Sequence, residues 1–373
     1  MALLSRVKLN GFRNLESVEL CLAPGFNLFI GANGSGKTSL LEALHVLGTG
    51  RSFRTNKLDP LINDLSDHFV IFTEINEGGI ANKVGLKRSR NASPVLRFNE
   101  QTQASWSLVA AALPLQLINS DSFAILEGGG KARRRFLDWA LFHVEHSYLT
   151  DWRAYRRVVA QRNILLKQRG PKMSSQLDAW DNEMGLLGEI IHRRRVTLID
   201  SFQAQLQILL DRLLPGLDFQ LEYRKGWPDQ AGLIEVLQKT RDRDLRYGVS
   251  LSGPHRGDFS IRVNRHAATD TLSRGQTKLL VIALKLAMGE LVKVAAGSAN
   301  RSTGGPLYLI DDLAAELDVG NCSKVIRYLH EQNDQCLFTA ITESALPGVT
   351  DLIEASGKFH VEHGKISACP ATA

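Results

Sequence analysis

Residues 26–47 read FNLFIGANGSGKTSLLEALHVL, and no other stretch constrains the fold as tightly. Phe26 to Ile30 is an apolar run of strand length. A loop follows from Gly31 to Gly36, Lys37 and Thr38, and Leu40, Leu41, Leu44 and Leu47 then recur at helical spacing. Strand, glycine-rich loop, helix is the order a phosphate-binding loop needs. Glycines let bare N–H groups approach phosphate oxygens, and the helix start adds its positive dipole end. Gly31, Ala32, Asn33, Gly34, Ser35, Gly36, Lys37 and Thr38 are therefore the candidate nucleotide-binding residues. Lys37 is placed for the β- and γ-phosphates and the Thr38 hydroxyl for Mg²⁺. The bland alternative is a glycine-rich turn between two core elements; pattern and context agree against it.

A chain of 373 residues is long enough for roughly two domains. No apolar run approaches a membrane span, and charges interrupt the first fifteen residues, so neither a membrane segment nor a signal peptide is expected. Cys21, Cys322, Cys336 and Cys369 are scattered without pairing or metal spacing, as in a reducing cytoplasm. The net charge of +6 permits a polyanionic partner without proving one.

Before the loop, Val7–Leu9 and Val18–Leu22 alternate as paired strands around a turn at Arg13-Asn14. Residues 48–67 show no clear period and carry Arg51, Arg54 and Lys57. Phe69–Ile75, Asn82–Lys87 and Val95–Phe98 are expected to form an antiparallel sheet turning at Gly78-Gly79. Its edge carries Lys83, Lys87, Arg88, Arg90 and Arg97, which suits a solvated edge or a DNA-facing stripe equally. Residues 139–217 read as helical. Tyr148, Trp152, Tyr155, Val159 and Leu166 mark one stretch, ending at Gly170-Pro171. Leu177, Trp180, Met184, Leu187 and Ile191 open a heptad-like run that breaks at His192–Arg195 and resumes from Ile199 to Leu213. Leu245–Leu251 reads as a strand.

Two further stretches bear on nucleotide chemistry. Leu307–Ile310 is an apolar run ending in Asp311 and Asp312. Behind a phosphate loop, the first acid of such a pair holds Mg²⁺ and the second is placed as general base for the attacking water. Between them, Ser273, Gly275 and Gln276 stand at the start of an apolar helix, where free N–H groups reach a γ-phosphate or merely cap the helix.

Here a resemblance is plain. Leu272–Gln276 looks like the signature loop of ABC-type ATPases, and Glu316-Leu317-Asp318 like their D-loop. The ordered set GANGSGKT, RRRFLD at Arg133–Asp138, GPHRGD at Gly253–Asp258, DTLSRGQ and LIDDLAAELD resembles the RecF family, bacterial recombination mediators related to SMC proteins, over nearly the whole chain. The resemblance implies an α/β ABC/SMC-type P-loop ATPase head with an inserted helical arm or bundle. The head would comprise residues 1–138 and 245–373, the insertion 139–244. It implies an ATP-driven homodimer, each nucleotide held between the phosphate loop of one chain and Ser273, Gly275 and Gln276 of the other, with Asp318 near the seam. It implies binding of double-stranded DNA near single-strand gaps and junctions, work with RecR and RecO, promotion of RecA loading, and a cytoplasmic, nucleoid-associated place. Lys37, Asp311 and Asp312 would carry catalysis, and Thr38, Asp311 and Gln116 would contact the metal, Gln116 as its sensor.

Departures from the pattern carry weight. Asp312 stands where transport ATPases place Glu, so slow, DNA-stimulated turnover is expected, as in a switch. Their switch histidine is missing, and Thr339 or Thr342 is the candidate substitute. Lys131–Arg135, Arg153, Arg156 and Arg157 are the candidate DNA contacts, and Arg133–Arg135 could equally brace the two domains through buried ion pairs. A transport-type subunit and an SMC-like structural clamp are the competing functional classes.

Overall fold

The computed structural model describes residues 2–168, 173–298, 305–346, 348–349, 352 and 357–369. Two compact units emerge: Met1–Phe123 with Arg274–Ala373, and Ala124–Ser273.

In chain order the first unit begins with β1 (Ala2–Phe12), β2 (Leu15–Cys21), β3 (Phe26–Ile30), α1 (Lys37–Thr49), β4 (His68–Glu77), β5 (Ile80–Ser89), β6 (Val95–Phe98), β7 (Gln101–Gln103), α2 (Ser107–Ala112) and β8 (Leu115–Ile118). The second unit contributes α3 (Ala124–Glu127), α4 (Gly130–Val144), α5 (Tyr148–Lys167), α6 (Met173–Leu213), β9 (Phe219–Arg224), α7 (Leu233–Lys239), α8 (Arg241–Tyr247), β10 (Asp258–Val263), β11 (His266–Ala267) and α9 (Ala268–Thr271). The first unit resumes with α10 (Arg274–Ser298), β12 (Leu307–Ile310), α11 (Leu313–Glu316), α12 (Val319–Glu331), β13 (Cys336–Ala340), β14 (Lys358–Glu362) and β15 (Lys365–Ala368).

Two six-stranded sheets build the first unit. One has the order β15-β14-β3-β13-β12-β8, and its members from β14 to β8 run parallel. Its inner strands are mostly apolar because both faces are covered: Leu28 and Phe29 in β3, Leu309 and Ile310 in β12, and Leu337 and Phe338 in β13 are all fully buried, with Asn27 and Thr339 as buried polar members. The other sheet, β2-β1-β4-β5-β6-β7, is antiparallel with one face in the core, and so its strands alternate. The expected strands and the turn at Gly78-Gly79 (φ 56° and 85°) are all present.

The second unit packs α4 and α5 with α6, which at 41 residues spans about 62 Å. It includes α4, through Phe136 against Phe202 and Phe259, and β10, which pairs with β9. The sequence reading drew the borders at 138/139 and 244/245. Residues 124–138 and 245–273 instead side with the helices because these aromatic contacts and strand pairs hold them there.

Three local readings change. Residues 241–247 form a helix where a strand was expected from 245, because Gly248 (φ 66°) caps it by donating to the Asp244 carbonyl. No break occurs at His192–Arg195: α6 continues, and Arg195 takes the next core position, fully buried between Asp138 Oδ1 and the Pro254 carbonyl. Gly170-Pro171 lies outside the described residues. Among the described residues, no helix is long and apolar enough to cross a membrane.

Candidate nucleotide site

A cleft of about 890 Å³ opens at the carboxyl end of β3. The phosphate loop lies on it because two glycines tolerate what no side chain would. A Cβ at Gly31 would stand 2.1 Å from the Val361 carbonyl oxygen, and one at Gly36 (φ 121°) 2.7 Å from Leu15 Cδ2. Asn14 braces the loop from the β1–β2 turn, donating to the Gly34 carbonyl and accepting from the Ser39 hydroxyl. Lys37 folds back on its own loop, donating to the carbonyls of Gly31 and Ala32 at 2.6 and 2.9 Å. Burial lowers its pKa, against the opposing pull of Asp312 and Asp311.

The loop meets the acidic pair through two hydroxyls. Thr38 Oγ1 donates to Asp311 Oδ1 at 3.0 Å, and Thr339 Oγ1, from β13, donates to the same oxygen at 2.7 Å. Thr339 Oγ1 in turn accepts from the backbone N–H of Asp312 at 3.0 Å. Thr342 makes no such contact; its hydroxyl pairs with Ser344 in an exposed turn. Asp312 adopts a left-handed conformation (φ 49°), rare for a residue with a side chain and typical of functional positions. Burial, reinforced by the charge of Asp311, raises its pKa.

Several cleft residues escaped the sequence reading. Arg13 (φ 53°) grips the fully buried Glu42 of α1 with two hydrogen bonds of 3.0 and 2.9 Å, and Ser52 donates to the same carboxylate. Arg54, 3.5 Å from Glu42, and the loop from Asn63 to Leu65 also face the cleft; Leu65 is 86% exposed. Residues 48–67 lack a period because only Leu58, Leu61 and Ile62 anchor the segment on the core while Arg54 and Asn63 to Leu65 border the cleft. The one signal available was the pairing of a turn arginine with a carboxylate buried in the helix after the loop.

Gln116 does not line the cleft. It lies within β8 opposite Tyr308, 4% exposed, its Nε2 without a partner. β8 pairs with β12 so that Ile118 faces Ile310, and the residue that emerges beside Asp311 is Asn119. Gly275 and Gln276 begin α10 and are not cleft residues of this chain; Ser273 closes the second unit and is exposed. Asp318 caps α12, accepting from the Asn321 N–H at 2.9 Å. In the second unit Arg133 binds Asp258 through two hydrogen bonds, and Arg134 donates to the Gly257 carbonyl, so both brace that unit.

The comparisons with known proteins decide the family. A model of the RecF/RecN/SMC N-terminal domain matches residues 3–365. A protein of Chromohalobacter salexigens called DNA replication and repair protein RecF is 40% identical over 97% of this chain and 99% of its own. The chain belongs to the RecF family. A RecF of Cellvibrio japonicus is 39% identical over 99% of this chain and 100% of its own. A solved structure of RecF with ATP, from the RecFOR pathway, shares the fold at a TM-score of 0.85 with 23% identity, covering 99% of this chain and 98% of its own. The Smc head of Pyrococcus furiosus, 17% identical and covering 99% of this chain and 96% of its own, gives a TM-score of 0.59. The ABC/SMC-type ATPase fold expected from RecF-like motifs is therefore present.

Proposed function

We propose that this chain is an ATP-switched DNA-binding protein of replication and recombinational repair. The observation that carries the reading is the hydroxyl chain from Thr38 through Asp311 and Thr339 to Asp312, which joins the phosphate loop and the acidic pair in one cleft. Lys37 exchanges its loop carbonyls for phosphate oxygens when ATP enters. The Thr38 hydroxyl and the Asp311 carboxylate are hard oxygen donors that fit Mg²⁺, which when bound neutralises charge on the β- and γ-phosphates. Asp312 takes the proton of the attacking water as its oxygen bonds to the γ-phosphorus and the bond to the β-phosphate oxygen breaks. Its raised pKa suits a proton acceptor, and its short side chain suits slow turnover.

Ser273, Gly275 and Gln276 are exposed or half-buried at the head of α10, consistent with closing on the nucleotide of a second copy, with Asp318 near that seam. Names of relatives support DNA as partner, and RecR, RecO and the RecA pathway follow from the family resemblance. The dimer would bind duplex DNA near single-strand gaps and release it on hydrolysis.

Sedimentation with and without ATP and duplex DNA tests this. A monomer in every condition, with DNA affinity indifferent to ATP, refutes it. Asp312→Asn separates a switch from an SMC-like clamp. In a switch it lowers kcat by about 10²–10⁴ and traps the ATP dimer. A clamp in which hydrolysis is idle is indifferent.

A further inference from the structure

We propose that the outer face of the antiparallel sheet holds an unpaired DNA strand, with Phe72 as the platform on which a base stacks. The inference rests on the DNA-binding reading above and names a surface and a mode of contact for it.

Strand register places Glu19, Lys8, Phe72, Gly85, Arg97 and Thr102 side by side in one row across the six strands. This is the solvent face, since the neighbouring Val7, Ile71, Val84 and Leu96 are buried on the other. The usual division is reversed at Phe72 and Thr73. Phe72 points outward, half-buried, while the next residue, Thr73, is fully buried with its hydroxyl unpartnered. Directly opposite Phe72 is Gly85, where an added Cβ would meet nothing within 4 Å. The result is a groove of about 500 Å³ beside an aromatic ring.

The charges around it are uneven in availability. Arg6 and Lys8 are tied to Glu19, and Arg6 also lies 3.8 Å from Glu74. Lys83, Lys87 and Arg97 make no ion pair among the described residues; Glu100, at the groove's edge, makes none either. Lys8 and Arg97 stand three strand spacings apart, about 14 Å, so cations flank the ring on both sides. Of the two, Lys8 is shared with Glu19 and Arg97 makes no ion pair among the described residues; a ring beside available cations is the arrangement that single-stranded nucleic acid uses: bases stack, and phosphates pair with Lys and Arg. A duplex offers phosphates but keeps its base faces stacked internally, and it has no use for Phe72. A polypeptide partner would favour a wider apolar patch without charges at its centre.

The test is fluorescence anisotropy of the full chain, with ATP, against a thymine oligonucleotide and a blunt duplex. Phe72→Ala should weaken thymine binding about tenfold and duplex binding less than about twofold, whereas Phe72→Tyr, which keeps the ring, should bind normally. Gly85→Leu fills the groove and should mimic Phe72→Ala. Replacing Lys83 and Arg97 together by Gln should flatten the salt dependence of single-strand binding by about 1.4 in log–log slope. Retained ATP binding certifies the fold of each variant. The inference falls if Phe72→Ala and Gly85→Leu bind thymine like wild type, or if they lose both DNAs equally. It also falls if they change only self-association in sedimentation, which would make the face a protein contact. A wild type that binds duplex but not thymine sinks this inference alone; one that binds neither sinks the reading beneath it too.

Discussion

The nucleotide cleft and the core of the second unit both gather charge, and they dispose of it in opposite ways. In the cleft, Lys37 has no acidic hydrogen-bond partner among the described residues; it rests on two carbonyls of its own loop. Asp311 and Asp312 stand side by side, and both border open space. In the second unit, Arg162 is fully buried between Asp181 and Asp244, at 2.6 Å from each, with the Ser250 hydroxyl at 2.9 Å. Arg241 takes the second oxygen of Asp181, and Arg195 shares Asp138 with the Tyr148 hydroxyl. Charge that has found its complement holds a fold. Charge left facing a cleft with makeshift partners is available to a ligand.

Removing one partner should therefore injure stability in one region and chemistry in the other. Arg162→Met would leave the buried Asp244 without its cation and Asp181 with Arg241 alone, and should cost about 3–5 kcal/mol of unfolding free energy. Urea denaturation monitored at the tryptophans of the second unit reads this, while a cost below about 1 kcal/mol would mean the network is dispensable. Lys37→Met is the converse. It should lower kcat by at least about 10²–10³, and stop ATP-dependent dimerisation, with little change in the urea midpoint. A large loss of stability in that variant would erase the contrast between the regions.

The same contrast governs what the sequence made legible. The strand, loop and helix of residues 26–47 were readable because their geometry resides in consecutive residues, and the position of Asp311 and Asp312 because a strand end fixes it. Arg13 and Asn14 were not, since their role depends on a turn meeting Glu42 and Gly34 from elsewhere in the chain. Gln116 was misplaced because the register of β8 on β12, invisible locally, brings Asn119 to the strand end. The heptad of α6 seemed to break for a related reason. Arg195 occupies the core slot after Leu177, Met184 and Ile191, and a charged residue there reads as an interruption until its partners are known.

Acid should separate the two regions further. His255 is held neutral in the second unit: Tyr155 Oη lies 2.6 Å from Nδ1, and Nε2 is 3.0 Å from the Ser250 carbonyl. Burial depresses its pKa to about 4, assisted by nearby Arg256 and Arg134. The unfolded chain binds this proton near pH 6.5, so the folded state binds fewer protons between these values. The contribution is fully present above pH 6.5 and lost as pH falls towards 4, by about 3 kcal/mol in all. Chemical denaturation of wild type and His255→Gln across this range measures it. The variant's stability should vary less with pH, and parallel curves would show that other groups set the acid limit.

The smallest effect concerns the hydroxyl that joins loop and acids. Thr339→Val keeps shape and removes one O–H, leaving Asp311 with Thr38 alone and the Asp312 N–H without its acceptor. A hydrogen bond to a charged group is worth about 1.5–3 kcal/mol, part of which a bound phosphate and its metal would replace. The net loss in kcat/KM should be about tenfold, falling on kcat because the geometry at Asp312 loosens while the phosphate loop is untouched. Thr342→Val is the control, since among the described residues that hydroxyl pairs with Ser344 and not with the acidic pair. If the two variants behaved alike, Thr339 would be filler between strands, and the link from Thr38 to Asp312 would lose its central member. If Thr339→Val raised KM alone, the hydroxyl would serve binding, and Asp312 would owe its left-handed turn to α11 instead.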